Sequence, residues 1–305
     1  MQALTGILAV TFPFFALVLC GYVAARTRLL PLDAVPGLNM FVLYFALPCM
    51  LYRFGSATPA AQLFNPVIAL LWLLAAALIV AATAGWARRQ GGSWPDAAMG
   101  ALVAAFPNSG FMGVPLILAL LGAGAVGPVM ATLLVDLVVT TSLCVGRALQ
   151  GVLRNPMPWS ILLGALAGAL GFALWAPLGK TVQLLADAAS PVALFTIGAV
   201  LARSQMRPAT TAGQAAPRDV GVLAVTKLLL HPLLVWTMGT LAVRAGALDT
   251  SALTPLVLVA ALPAASNVSL LAERFGADNG RVARVILWST ALAFFSFSTA
   301  VALLG

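Results

Sequence analysis

The chain has 305 residues, 62% of them hydrophobic and only 8% charged, with a formal net charge of +8. A soluble domain carries about 25% charged residues, so this chain cannot cover a water-facing surface and needs lipid as its solvent, where only helices and closed barrels satisfy their own backbone. The positive excess is not a nucleic-acid footprint, because no basic patch is interleaved with exposed aromatics.

The apolar runs are about 20 residues long and lack strict alternation, which predicts helices and not barrel strands. Ten spans follow in chain order, at 3–25, 34–54, 66–87, 97–121, 127–147, 159–177, 184–202, 220–243, 252–274 and 283–304. Each can cross about 30 Å of hydrocarbon. The first has no basic region ahead of it, since the first charge is Arg26, so it reads as a retained helix and not a cleaved signal. Cys20, Cys49 and Cys144 sit in apolar runs at unrelated spacings. They read as packing residues, neither a disulfide framework nor a metal set. The loops are short, the longest at 203–219.

Basic residues fall mostly at one set of span ends. Arg26, Arg28, Arg88, Arg89, Arg147, Arg154, Arg203, Arg207, Arg218, Arg274, Arg281 and Arg284 share one side; Arg53, Lys180 and Arg244 share the other. Twelve against three marks the first side as cytoplasmic and places both termini outside the cytoplasm. Asp187, Asp249 and Arg244 are expected to face water at span ends, and Glu273 and Arg274 to anchor the ninth span at the cytoplasmic interface. Tyr22, Tyr44 and the tryptophans read as packing or interfacial residues.

Two local matches relate the halves. Ala46-Leu-Pro48-Cys-Met-Leu51-Tyr52-Arg-Phe-Gly55 and Ala189-Ser-Pro191-Val-Ala-Leu194-Phe195-Thr-Ile-Gly198 both read A-x-P-x-x-L-aromatic-x-x-G, and Ala104-Ala-Phe-Pro107 matches Ala260-Ala-Leu-Pro263. They imply an all-α polytopic membrane protein built as two five-helix repeats, 1–150 and 151–305. Five is odd, so the second repeat is inverted, an arrangement found in secondary transporters.

Spans four and nine carry breaks. Phe106-Pro107-Asn108-Ser109-Gly110-Phe111-Met112-Gly113-Val114-Pro115 loses two backbone donors to proline and gains two glycines. Pro263-Ala-Ala-Ser266-Asn267-Val-Ser269 repeats the device. A broken helix at membrane depth needs protein or a polar cavity to satisfy its freed backbone, and the amide end of a half-helix suits a carboxylate. If the two breaks cross, Pro107, Asn108, Ser109, Gly110, Gly113, Pro263, Ser266 and Asn267 form one binding site. The plainer reading is a pair of proline kinks satisfied by neighbouring helices.

Asp136 and Lys227 lie inside spans five and eight. Either charge buried alone costs several kcal/mol, so the two are expected to pair behind the breaks, as an ion-coupling switch or as a static pair. Lys227 could also reach the interface along its stem. His231, one turn after Lys227, is either a titrating relay or a neutral packing residue.

The segment Pro107-Asn108-Ser109-Gly110-Phe111-Met112-Gly113-Val114-Pro115-Leu116 resembles the fourth-helix crossover of the auxin efflux carrier family, which includes plant auxin exporters and bacterial malonate-type carriers. Supporting matches are Leu47-Pro48, Ser190-Pro191 through Gly198, Lys227 with Pro232, Leu262-Pro263 and Ala272-Glu273-Arg274-Phe275-Gly276. The resemblance covers essentially the whole chain. It implies ten helices in two inverted repeats with crossing broken helices four and nine. It further implies a scaffold and a transport domain, a homodimer, a bacterial inner-membrane location and a small organic anion held with the help of Asn108. The plant exporters' long central loop is absent.

The expected function is thus secondary transport of a mono- or dicarboxylate or auxin-like acid, with Asp136–Lys227 as a proton link. A cation/proton antiporter using Asp136 is the alternative. An enzyme is not expected, since no metal motif, acidic pair or nucleophile–base set is present, and no cofactor is implied.

Overall fold

The computed structural model describes residues 2–140, 156–206 and 217–304. Cys144, Arg147, Arg154 and Arg207 lie outside the described residues, as do the end of the fifth predicted span, most of the 203–219 loop, and the side chains of Arg218, Glu273 and Arg274.

The chain is helical: α1 Gln2–Arg26, α2 Val35–Ala57, α3 Pro66–Arg89, α4 Trp94–Ala105, α5 Ser109–Leu121, α6 Ala123–Thr140, α7 Pro156–Ala169, α8 Ala176–Met206, α9 Asp219–Arg244, α10 Thr250–Ala260, α11 Val268–Arg274 and α12 Asn279–Leu304. Among the described residues seven helices are long and apolar enough to cross a membrane, and α5, α7 and α10 are shorter apolar helices. The fourth and ninth predicted spans are each split, into α4 with α5 and α10 with α11. The expected sixth span, 159–177, is shorter than predicted. Gly171 takes φ 62°, and its amide and that of Phe172 fold back onto Gly168 O and Ala167 O, a left-handed helix stop that glycine favours. The seventh span is longer than predicted, because α8 begins with Pro177 in its first turn, where the missing N–H costs nothing.

Among the described residues four helices contain a π-helical turn, at Val42–Ala46, Ser109–Gly113, Asp136–Thr140 and Thr226–Leu230. Three of these turns end two residues before a proline: Pro48, Pro115 and Pro232. Proline lacks the N–H and its ring crowds the carbonyl four residues back. The ladder therefore widens by one residue ahead of it. Leu47 N–H bonds Val42 O, Val114 N–H bonds Ser109 O, and His231 N–H bonds Thr226 O.

Glycine sets the closest helix contacts. A Cβ on Gly21 would run into the carbonyl of Phe195, and one on Gly198 into that of Val18, so α1 and α8 cross backbone to backbone. Gly55 meets Ile161 O, while Gly164 and Gly168 meet the carbonyls of Tyr52 and Ser56, which docks α2 on α7 in the same manner. Gly55 and Gly198 are the matching glycines of the repeated motif. Each packs against the first helix of the opposite half. The pairs α3–α4 and α9–α10 repeat the correspondence, with α3 also touching α9.

The apolar residues sort into two kinds of face. On α3, Leu71, Trp72, Ala75 and Ile79 are buried while Leu70, Leu74 and Leu78 are exposed, a stripe at helical spacing that suits lipid. Beside Arg88, which donates to Gly92 O, Ser93 caps α4. There Asp96 Oδ1 accepts from Asp278 N–H at 2.7 Å, and the buried Arg281 bridges Asp219 (2.9 Å) and Asp96 O (3.0 Å). This network ties the starts of α4, α9 and α12 together.

Candidate functional site

The two helix breaks lie against each other. Phe106 turns the chain extended at φ −96°, ψ 105° after α4, and α10 stops at Ala260. Asn108 N–H then donates to Pro263 O at 2.9 Å and Ala265 N–H to Phe106 O at 3.0 Å, an antiparallel bridge between Pro107 and Ala264. It satisfies groups that would otherwise be orphaned at membrane depth.

Side chains from other helices satisfy what remains. In a regular helix Phe111 O would accept from residue 115, but Pro115 has no N–H; Ser190 Oγ of α8 donates to it at 3.3 Å. Ala260 O, freed by the end of α10, accepts from Lys227 Nζ of α9 at 2.7 Å. Ala264 N–H donates to Ser289 Oγ of α12 at 3.2 Å. The second break is therefore held from behind on both sides, and a cation at the last carbonyl of α10 also opposes that helix's negative end.

The predicted site residues do not all face one space. Asn108, Gly110 and Asn267 border a small cleft with Pro107, Ala265 and the apolar Leu47, Leu133, Leu137 and Met157. Ser266 borders a second small cleft, with Asn39 of α2 and Thr196 of α8. Ser109 is fully buried, and its hydroxyl turns back to Pro107 O at 3.5 Å. Gly113 is a spacer: a Cβ there would lie 2.9 Å from Leu262 Cδ1. Pro107 and Pro263 are buried in the bridge itself. α5, which begins at Ser109, brings its positive end to the side of the first cleft where Asn108 and Gly110 stand. Asn267 keeps a buried amide oxygen without a protein partner there.

Asp136, Lys227 and His231 are completely buried and lie behind the breaks. Asp136 Oδ1 accepts from Trp72 Nε1 and from Thr140 Oγ1, both at 2.9 Å. The Trp72 and His231 rings stand 5.3 Å apart, and His231 Nδ1 lies 3.0 Å from Lys227 Nζ. Asp136 thus bonds to Trp72 and Thr140, and Lys227 to His231 and Ala260. Two hydrogen-bonded groups, Asp136 with Trp72 and Thr140 and Lys227 with His231 and Ala260, meet at the Trp72–His231 ring contact. Asp187, expected at a span end, is inside α8 and pairs with Arg53 at 2.6 Å with both side chains half exposed. Tyr22 OH reaches Gln205 Oε1 at 2.7 Å. Cys20 and Cys49 are free thiols.

Sequence reasoning missed Asn39, Trp72, Thr140, Ser190, Thr196 and Ser289. Ser190 had one signal, its place in the repeated motif. The others are polar groups within apolar helices, and only the partner across the fold gives them meaning.

A profile of the family described as membrane transport protein matches residues 7–149 and 143–301. The chain belongs to the membrane transport protein family. This is the auxin-efflux-type family that its fourth-span motif resembles. The family's relatives include the "Putative malonate transporter" of Rhizobium meliloti (strain 1021), 30% identical over 313 residues that cover 96% of this chain and 93% of that one. The "Uncharacterized transporter YfdV" of Escherichia coli (strain K12) is 24% identical over 294 residues, 89% of each chain. As a member of this family with several membrane-length apolar helices, the chain is an integral membrane transporter.

Proposed function

We propose that the protein is a secondary carrier of a small organic anion, a short mono- or dicarboxylate, bound where the two broken helices cross. The observation that carries this reading is the bridged pair of breaks, which brings Asn108, the N-terminal end of α5 and Asn267 to one small cleft inside an otherwise apolar protein. Amide groups and a positive half-helix end suit a carboxylate, and the apolar rim of Leu47, Leu133 and Leu137 suits a short carbon body. The similarity to a protein named for malonate makes malonate the first substrate to test.

The architecture of this proposal is ten spans in two inverted repeats. The reciprocal glycine contacts of α1–α8 and α2–α7 support it, as does the matching of α3–α4 with α9–α10. In it α1, α2, α7 and α8 form a scaffold, on which a homodimer is built, and the remaining helices form the moving unit. The chain sits in a bacterial inner membrane with both termini extracytoplasmic. Asp136 and Lys227, both completely buried behind the breaks, supply the proton link. The Asp136 oxygen engaged by Trp72 and Thr140 faces hydrogen-bond donors, an environment for a held carboxyl and not for a cation ligand, so the anion carrier is favoured over the antiporter.

The test is uptake of radiolabelled malonate by the purified protein in liposomes. Asn108→Ala is expected to lower uptake at least about tenfold, the scale of one lost bidentate or charge-assisted contact. Undiminished uptake by a folded Asn108→Ala variant would remove the site, and absence of any carboxylate uptake by the unaltered protein would remove the function.

A further inference from the structure

One residue borders both clefts. Phe111 faces the Asn108–Asn267 side and also the Asn39–Thr196–Ser266 side, and it is only 6% exposed. Its position is held through the backbone. Pro115 takes away the helical partner of its carbonyl, and Ser190 Oγ of α8 replaces it at 3.3 Å. The residue is also inside the π-turn Ser109–Gly113, between Gly110, which has no side chain, and the fully buried Met112. The second cleft is no mere packing gap: an amide and two hydroxyls, from Asn39, Thr196 and Ser266, stand around it, beside the apolar Val42 and Ile197.

We propose that Phe111 is the partition that sets the length of the acid carried. Its ring stands between the Asn108–Asn267 cleft and the Asn39–Thr196–Ser266 cleft, so the far end of a longer acid held at Asn108 meets the ring. Without the ring the two clefts join into one space with polar groups at both ends and an apolar middle, the pattern of a longer dicarboxylate. The proposal rests on the organic-anion reading above and names a selectivity element within it.

The experiment compares uptake of malonate, succinate, glutarate and adipate into liposomes by the unaltered protein, Phe111→Ala and Phe111→Tyr. Discrimination by one methylene in an apolar pocket is about 10–200-fold. The unaltered protein and Phe111→Tyr are expected to favour the short acids. Phe111→Ala is expected to raise the adipate-to-malonate ratio by about tenfold or more while malonate uptake remains sensitive to Asn108→Ala. Phe111→Leu, which keeps apolar bulk, is expected to move the ratio in the same direction and serves if the alanine variant does not fold. An unchanged ratio in a folded Phe111→Ala or Phe111→Leu protein that still carries malonate overturns the partition and leaves the anion reading standing. Failure of the unaltered protein to carry any of the four acids overturns both.

Discussion

Asp136 illustrates how a polar side chain survives inside this protein. One carboxyl oxygen takes two donors, Trp72 Nε1 and Thr140 Oγ1, and Lys227 behind it is spent on a backbone carbonyl and a histidine. Each group answers another's need, because an unmade hydrogen bond at this depth costs more than a made one gains. Trp72→Phe keeps an aromatic ring in the site but is smaller, and it removes one donor. It is expected to lower stability by about 1–3 kcal/mol, read as a shift in the denaturation midpoint in detergent. Trp236→Phe, at a half-exposed tryptophan on α9, is expected to leave the midpoint unchanged, and equal effects at both positions would contradict the structural role given to Trp72. The charged residues of this chain were legible in the sequence because Asp136 and Lys227 interrupt runs of leucine and valine. Trp72 was not, since a tryptophan in an apolar span reads as packing, and its carboxyl partner lies 64 residues away.

At the scale of the helix, proline and glycine placed most of what matters. The breaks after α4 and α10 were visible as Pro107 and Pro263 with polar residues beside them. The π-turns before Pro48, Pro115 and Pro232 follow from the same missing N–H, yet a proline could equally have kinked or ended a helix. Whether the ladder widens depends on the neighbours that press on it. The sixth span was misjudged for a related reason: hydropathy continues through Phe172 and Trp175, while Gly168 and Gly171 already close the helix. The matching glycines Gly55 and Gly198 were seen as a repeat, and the structure shows their use, contact with a facing backbone. Gly198→Val is expected to destabilise by at least the roughly 1–3 kcal/mol of core overpacking, because the atom it would strike is a carbonyl that cannot swing aside. Gly85→Val, where nothing lies within 4 Å, is expected to stay within about 0.5 kcal/mol. Yield of monodisperse protein and thermal midpoint together check the contrast; a Gly198→Val protein as stable as the Gly85→Val one would refute the tight crossing.

For the whole molecule, the distribution of basic residues predicts the orientation. A reporter enzyme active only outside the cytoplasm is expected to be active when fused after Leu304 and inactive when fused within 88–93. The reverse pattern would invert the proposed topology. The sequence by itself determined that the chain is built of apolar helices that live in lipid, and where two of them break. Composition, run length and proline act locally and need no partner to be read. Only the tertiary structure decided that the breaks hydrogen-bond to each other, that Ser266 and Asn267 turn to different clefts, and that Lys227 caps α10 with a carbonyl bond. It alone brought Asn39, Thr196 and Ser190 to the breaks. Those are matters of which helix faces which, and they are settled by packing between segments from 33 to more than 150 residues apart, where backbone groups freed by a proline or a helix end take whatever donor another helix brings within reach.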